Sequence, residues 1–112
     1  MNISYEGIGY LAVTMPYGEC PVGHVCTIIE EGMVMPCNSG DMFCGVVEAA
    51  EYYTTSVQLE GFVKLHYSGA DPNWGWNKLA ADGSGGVAVN STGRMYLVVS
   101  VDTENKSIVM KL

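Results

Sequence analysis

The feature that most constrains this chain is an alternation, broken once, from Ser56 to Tyr67. Val57, Leu59, Gly61, Val63, Leu65 and Tyr67 fall on odd positions, and Ser56, Gln58, Glu60, Lys64 and His66 fall between them. Period two specifies a strand, because successive side chains point to opposite faces of the backbone. A helix would scatter the same apolar residues around its circumference. The odd face is therefore expected to pack on a core and the Gln58, Glu60, Lys64 and His66 face to meet solvent. Gly61 sits at the centre and Phe62 interrupts the polar face, which predicts a bulge or sharp bend that changes register.

The carboxyl-terminal part repeats the signal. Met95 to Val101, a polar loop from Asp102 to Lys106, and Ser107 to Leu112 predict a hairpin whose first arm, apolar on both faces, is central or covered on both sides. Shorter apolar runs at Leu11 to Met15, Val22 to Ile29, Met33 to Met35 and Met42 to Val47 are separated by Gly- or Pro-containing turns. Glu48 to Tyr53 is the one piece with helix-forming composition, and its length allows a turn or two of helix. Ser68 to Asn77 and Asp82 to Gly86 read as loops, the latter a flexible hairpin loop. Short strands at this spacing predict an all-β barrel or sandwich of antiparallel strands with at most one short helical turn. With 112 residues the chain suffices for one domain around one small core, placed at 11–112, and residues 1–10 are expected to form a mobile arm.

Charge then excludes partners. Asp and Glu outnumber Lys and Arg by 12 to 5, a formal net charge of -7. Nucleic-acid and anionic-membrane binding draw on clustered cations, so neither partner is expected. From their order along the chain, the few charges are expected to punctuate strands without converging on a site. The first ten residues contain no basic residue and no unbroken apolar run, so no secretory signal is expected and the four cysteines are expected to be reduced thiols. No stretch approaches the ~20 apolar residues of a membrane span.

Motifs for chemistry are weak. His24, Cys26 and His66 allow a metal site to be imagined, but Cys20, Cys26, Cys37 and Cys44 lack the close pairs of structural zinc sites. The apolar neighbours of Cys26 and Cys44 are expected to raise their thiol pKa values, which opposes thiol catalysis. Gly83-Ser84-Gly85-Gly86 lacks the Gly-Lys-Ser/Thr ending of a phosphate loop. No catalytic residue, cofactor or metal is assigned. The conspicuous feature is Trp74-Gly75-Trp76, for which three readings stand: closure of one end of the barrel, a protein interface, or a stacking platform for a small ligand such as a sugar. Tyr5, Ile8 and Tyr10, apolar residues interleaved with Gly and Ser, are interface candidates on the amino-terminal arm.

The succession Gly40-Asp41-Met42-Phe43-Cys44-Gly45-Val46-Val47-Glu48-Ala49-Ala50, then Val57 to Leu65 with its central Gly61, then the Gly-rich loop and the closing Leu97 to Asp102 hairpin arm, resembles the small capsid decoration, or cement, proteins of tailed bacteriophages and prophages. The resemblance lies in the order of strands and turns over about two-thirds of the chain. It implies a compact β-barrel or β-tulip domain, a trimer as the favoured homo-oligomer, the major capsid protein as partner, and a non-enzymatic role clamping the outer shell. The implied location is the virion capsid surface, reached from the host cytoplasm. The cysteines and Trp74-Gly75-Trp76 have no counterpart in that pattern. The alternative is a carbohydrate- or small-molecule-binding β module using Trp74 and Trp76, with Tyr67 beside them.

Overall fold

The computed structural model describes residues 8–112, so Tyr5 and most of the expected arm lie outside the described residues. The described chain forms strands β1 (Leu11–Met15), β2 (Tyr17–Gly18), β3 (Val25–Ile28), β4 (Met33–Pro36), β5 (Gly45–Ala50), β6 (Thr55–Glu60), β7 (Phe62–Ser68), β8 (Gly75–Ala81), β9 (Val87–Val89), β10 (Arg94–Asp102) and β11 (Ser107–Lys111). The first six make a sheet in the order β1-β6-β5-β3-β4-β2, and the last five close into a barrel in the order β10-β11-β7-β9-β8. The small all-β fold expected from the strand pattern is therefore present. Pairing is antiparallel except where β2 meets β4 and β7 meets β9.

The long alternation divides where its glycine stands. β6 belongs to the sheet and β7 to the barrel, and between them Gly61 has φ +104°, a conformation that side chains other than glycine rarely adopt. A Cβ there would also sit 3.2 Å from the carbonyl oxygen of Ile8 and from the Tyr10 Cα. The expected bend is thus a change of sheet. On either side of it the odd residues go inward as period two requires: Val57, Val63, Leu65 and Tyr67 are buried, whereas Glu60, Lys64 and His66 are exposed.

The interior holds two apolar clusters where one core was expected. The larger fills the barrel with Leu65, Tyr67, Leu79, Val98, Ile108 and Met110 and is continued by Val25 and Val46 from the sheet and by Phe43 from the segment before β5. The smaller gathers Cys20, Cys26, Val34, Val47 and Val57, with Val13 and Ile28 packed against it. Neighbours in sequence, Val46 and Val47, serve different clusters because a strand presents successive side chains to opposite faces. Backbone bonds join sheet to barrel: Gly40 N–H donates to the Ala81 carbonyl at 2.8 Å, Ala81 N–H to Asp41 at 2.9 Å and Val25 N–H to Gly85 at 2.9 Å.

Two further expectations are corrected. Glu48 to Tyr53 is not helical: Ala49 and Ala50 pair with Ser56 and Thr55, and Glu51 N–H closes the turn on the Thr54 carbonyl. Pairing with β6 outweighs the few tenths of a kcal/mol per residue by which Ala and Glu favour a helix. Among the described residues the single helical turn is instead a 3-10 turn at Glu30–Gly32. The 82–86 loop, a hairpin loop as expected, is pinned: Asp82 Oδ1 accepts Ser84 N–H at 2.7 Å and Gly86 N–H at 3.1 Å, while Asp82 Oδ2 accepts the Ser68 hydroxyl at 2.6 Å.

Candidate functional site

The position of both tryptophans follows from Asn77. Its side chain is buried, with Oδ1 accepting Asn73 N–H at 2.9 Å and Nδ2 donating to the carbonyls of Asn73 at 2.7 Å and Gly75 at 3.1 Å. This network shapes the Asn73-Trp74-Gly75 turn. Because Asn77 faces inward, strand alternation turns Trp76 outward. Trp74 is 61% and Trp76 65% exposed, so neither closes the barrel. That reading of the Trp-Gly-Trp loop is overturned: Tyr67, Leu79, Ile108 and Met110 already occupy the interior, and Gly75 begins a strand where a loop was expected.

The outer wall around Trp76 is organised by register. Leu97 of β10 stands opposite Trp76 of β8 on one side and opposite Lys111 of β11 on the other, giving a row across three strands. Two residues along, in the next pair on the same face, Met95 stands opposite Lys78, and both are exposed. Trp76, Arg94, Met95, Leu97 and Lys111 line one shallow hollow of about 220 Å³. Arg94 also lies 5.8 Å from the Tyr96 ring centre, a distance at which a guanidinium is attracted to an aromatic face. Three of the chain's five cationic residues, Lys78, Arg94 and Lys111, thus surround an exposed aromatic and aliphatic row. The expectation that charges do not converge is corrected here. Lys78 and Lys111 are far apart in sequence and are brought to this row by strand register, whereas Arg94, opposite buried Leu79 at the start of β10, reaches the hollow from the strand's end.

The other expected site residues are not part of this face. Trp74 borders a separate hollow of about 360 Å³ with Ser100, Asp102, Thr103 and Glu104. Tyr10 donates its hydroxyl to Glu48, the extra residue where β5 bulges against β6, and lines a groove of about 380 Å³ between sheet and barrel with Val46, Gln58, Phe62 and Lys64. Ile8 is exposed in the turn preceding Tyr10. Tyr67 is fully buried, so it forms no platform with the tryptophans. Its hydroxyl donates to Asp71 at 2.6 Å, and Lys106 lies 3.3 Å from the same carboxylate and 5.2 Å from the Tyr67 ring centre. The bond to Asp71 pushes the Tyr67 phenol up to about 12, and the bonds from Tyr67 and Lys106 hold the Asp71 carboxyl below its usual value.

The four cysteines are free. Cys20, Cys26 and Cys37 are buried, and burial raises the thiol pKa of Cys20 and, to about 11, that of Cys37. Cys26 is raised first by its interaction with the Cys44 thiol and then by burial. Cys44 departs from expectation: it is exposed, and interaction with Cys26 lowers its pKa. No cluster of three or more His, Cys, Asp or Glu side chains suited to a metal ion occurs among the described residues. No family model, curated protein or solved structure matches the chain.

Proposed function

We propose that this chain is a capsid decoration protein of a tailed phage or prophage, which docks on the outer shell through the Trp76 face and clamps neighbouring copies of the major capsid protein. The observation that carries the reading is the outward row of Trp76, Leu97 and Met95 ringed by Lys78, Arg94 and Lys111. Exposed Trp beside Arg is the composition of energetic anchors in protein interfaces. Cations concentrated on one wall of a protein of net charge -7 suit an acidic patch on the partner. The Asn77 network and the closed barrel hold this wall rigid, so little ordering is needed on docking. A trimer, the assembly favoured by the resemblance, would multiply weak single contacts through effective concentration.

Co-sedimentation with expanded shells of the major capsid protein from the same phage tests the proposal. Wild-type protein is expected to pellet with shells, and Trp76→Ala to lose about 30-fold or more in affinity, the size of a hot-spot truncation. Equal binding by a folded Trp76→Ala protein refutes the assigned face. A carbohydrate-binding reading rests on Trp74 beside its polar hollow. Against it, Asp102 already accepts from Glu104 N–H, Asn105 N–H and the Asn105 amide, leaving that carboxylate little capacity for sugar hydroxyls. Glycan binding abolished by Trp74→Ala would favour it.

A further inference from the structure

We propose that Cys44 and Cys26 are a redox-active pair that a hydroperoxide converts into a disulfide bracing β3 against β5. The two strands share only the register pairs Val25 with Val46 and Cys26 with Gly45, at the middle of the six-stranded sheet. Cys44, immediately before β5, donates its backbone N–H to the Cys26 carbonyl at 2.9 Å. Standard backbone dimensions then keep the two Cα atoms within about 6.8 Å, inside the window that a disulfide spans.

The two thiols differ in the way a sequential oxidation requires. Cys44 is exposed and opens on a cleft of about 200 Å³ bordered by Phe43, Leu59, Glu60, Arg94 and Tyr96. Cys26 is fully buried, its thiol 3.6 Å from the Gly45 carbonyl. Each thiol is the largest influence on the other's acidity, lowering the pKa of Cys44 and raising that of Cys26. The accessible sulfur is therefore the better thiolate, and the shielded one keeps its proton. Cys20, with its thiol 3.6 Å from the Val25 carbonyl, and Cys37 are buried and take no part.

In the first step the Cys44 thiolate attacks a peroxide oxygen. A sulfur–oxygen bond forms, the oxygen–oxygen bond breaks, and the departing alkoxide or hydroxide takes a proton from water. Cys44 is then a sulfenic acid. In the second step the Cys26 sulfur attacks the Cys44 sulfur, forming the disulfide and expelling hydroxide, which leaves as water with the Cys26 proton. Two thiols lose two electrons and two protons, and hydrogen peroxide takes them up to become two waters. This chemistry is independent of the capsid reading.

The test is peptide-mapping mass spectrometry of the reduced full-length protein treated with stoichiometric hydrogen peroxide. The expected product is an intramolecular species lighter by two hydrogens, containing a Cys26–Cys44 cross-link and unfolding at least about 5 °C higher than the reduced form. Cys44→Ser should abolish the product. Cys26→Ser should leave Cys44 as a sulfenic acid that dimedone captures; if that buried substitution prevents folding, the wild-type map and Cys44→Ser decide. An unchanged wild-type mass, a cross-link through Cys20 or Cys37, or Cys44 sulfinic acid without a disulfide overturns the proposal.

Discussion

Asn77 shows how one side chain can set the direction of two others. Its amide completes three hydrogen bonds to a turn, and its inward position sends Trp76 outward. Asn77→Ala is expected to cost about 1–3 kcal/mol, the penalty for buried polar groups left unpaired, and to shift tryptophan emission as the Trp74 turn loosens. Urea denaturation followed by fluorescence checks both; an unchanged midpoint would remove Asn77 from this role. Asp71 provides a second test. Its pKa is lower folded than unfolded, so its contribution is fully present above the unfolded value near ~3.9 and is lost as pH falls through the lower folded value. Tyr67 works in the opposite direction: its folded pKa is raised, and its contribution is lost as pH climbs from ~10 through about 12. Asp71→Asn should therefore flatten the acid limb of a thermal-stability profile, and Tyr67→Phe the alkaline limb. The roles of Asn77 and Asp71 were not legible in sequence, where each is one polar residue among several in a turn. Their meaning comes from a buried site and from a lysine 35 positions away.

At the scale of elements, Gly61 divides the molecule. Gly61→Val combines a strained φ with a Cβ pressed on the Tyr10 backbone, and is expected to cost about 2 kcal/mol or more. Gly40→Ala, also at positive φ but with nothing within 4 Å of a built Cβ, should cost less, since it bears strain alone. Comparing the two by urea denaturation separates strain from crowding. Strands were readable from alternation at β6, β7 and β11 and from apolar runs at β1 and β10, all of which occupy the expected segments. What alternation cannot convey is the sheet to which a strand belongs. Nothing in Val57 or Val63 distinguishes sheet from barrel, and only the conformation of Gly61 marks the boundary. Glu48 to Tyr53 misled for a related reason: its Ala and Glu content reports local preference, whereas β6 alongside supplies the deciding hydrogen bonds. β8 was hidden because Gly75, Asn77 and Lys78 dilute its apolar pattern.

At the scale of the molecule, a closed barrel and a six-stranded sheet present an aromatic and basic wall on an otherwise acidic protein. The tryptophans were conspicuous in the sequence, but the ring of cations was not, because it depends on the registers of β8, β10 and β11. Binding through such a wall should weaken with added salt, as attraction between exposed charges is screened beyond ~8 Å at physiological ionic strength. Shell co-sedimentation at two salt concentrations checks this, and a salt-independent affinity would leave the cations without a role. The most direct test of the docking face compares two charge-matched substitutions for binding to expanded capsid shells. Lys111→Glu changes the Trp76 wall, while Lys64→Glu makes the same change in charge on β7, in the groove between sheet and barrel. The expected result is a loss of about tenfold or more for Lys111→Glu, corresponding to about 1.4 kcal/mol, with Lys64→Glu close to wild type. Equal effects of the two substitutions, or a greater loss for Lys64→Glu, would contradict the assignment of the Trp76 wall as the docking face.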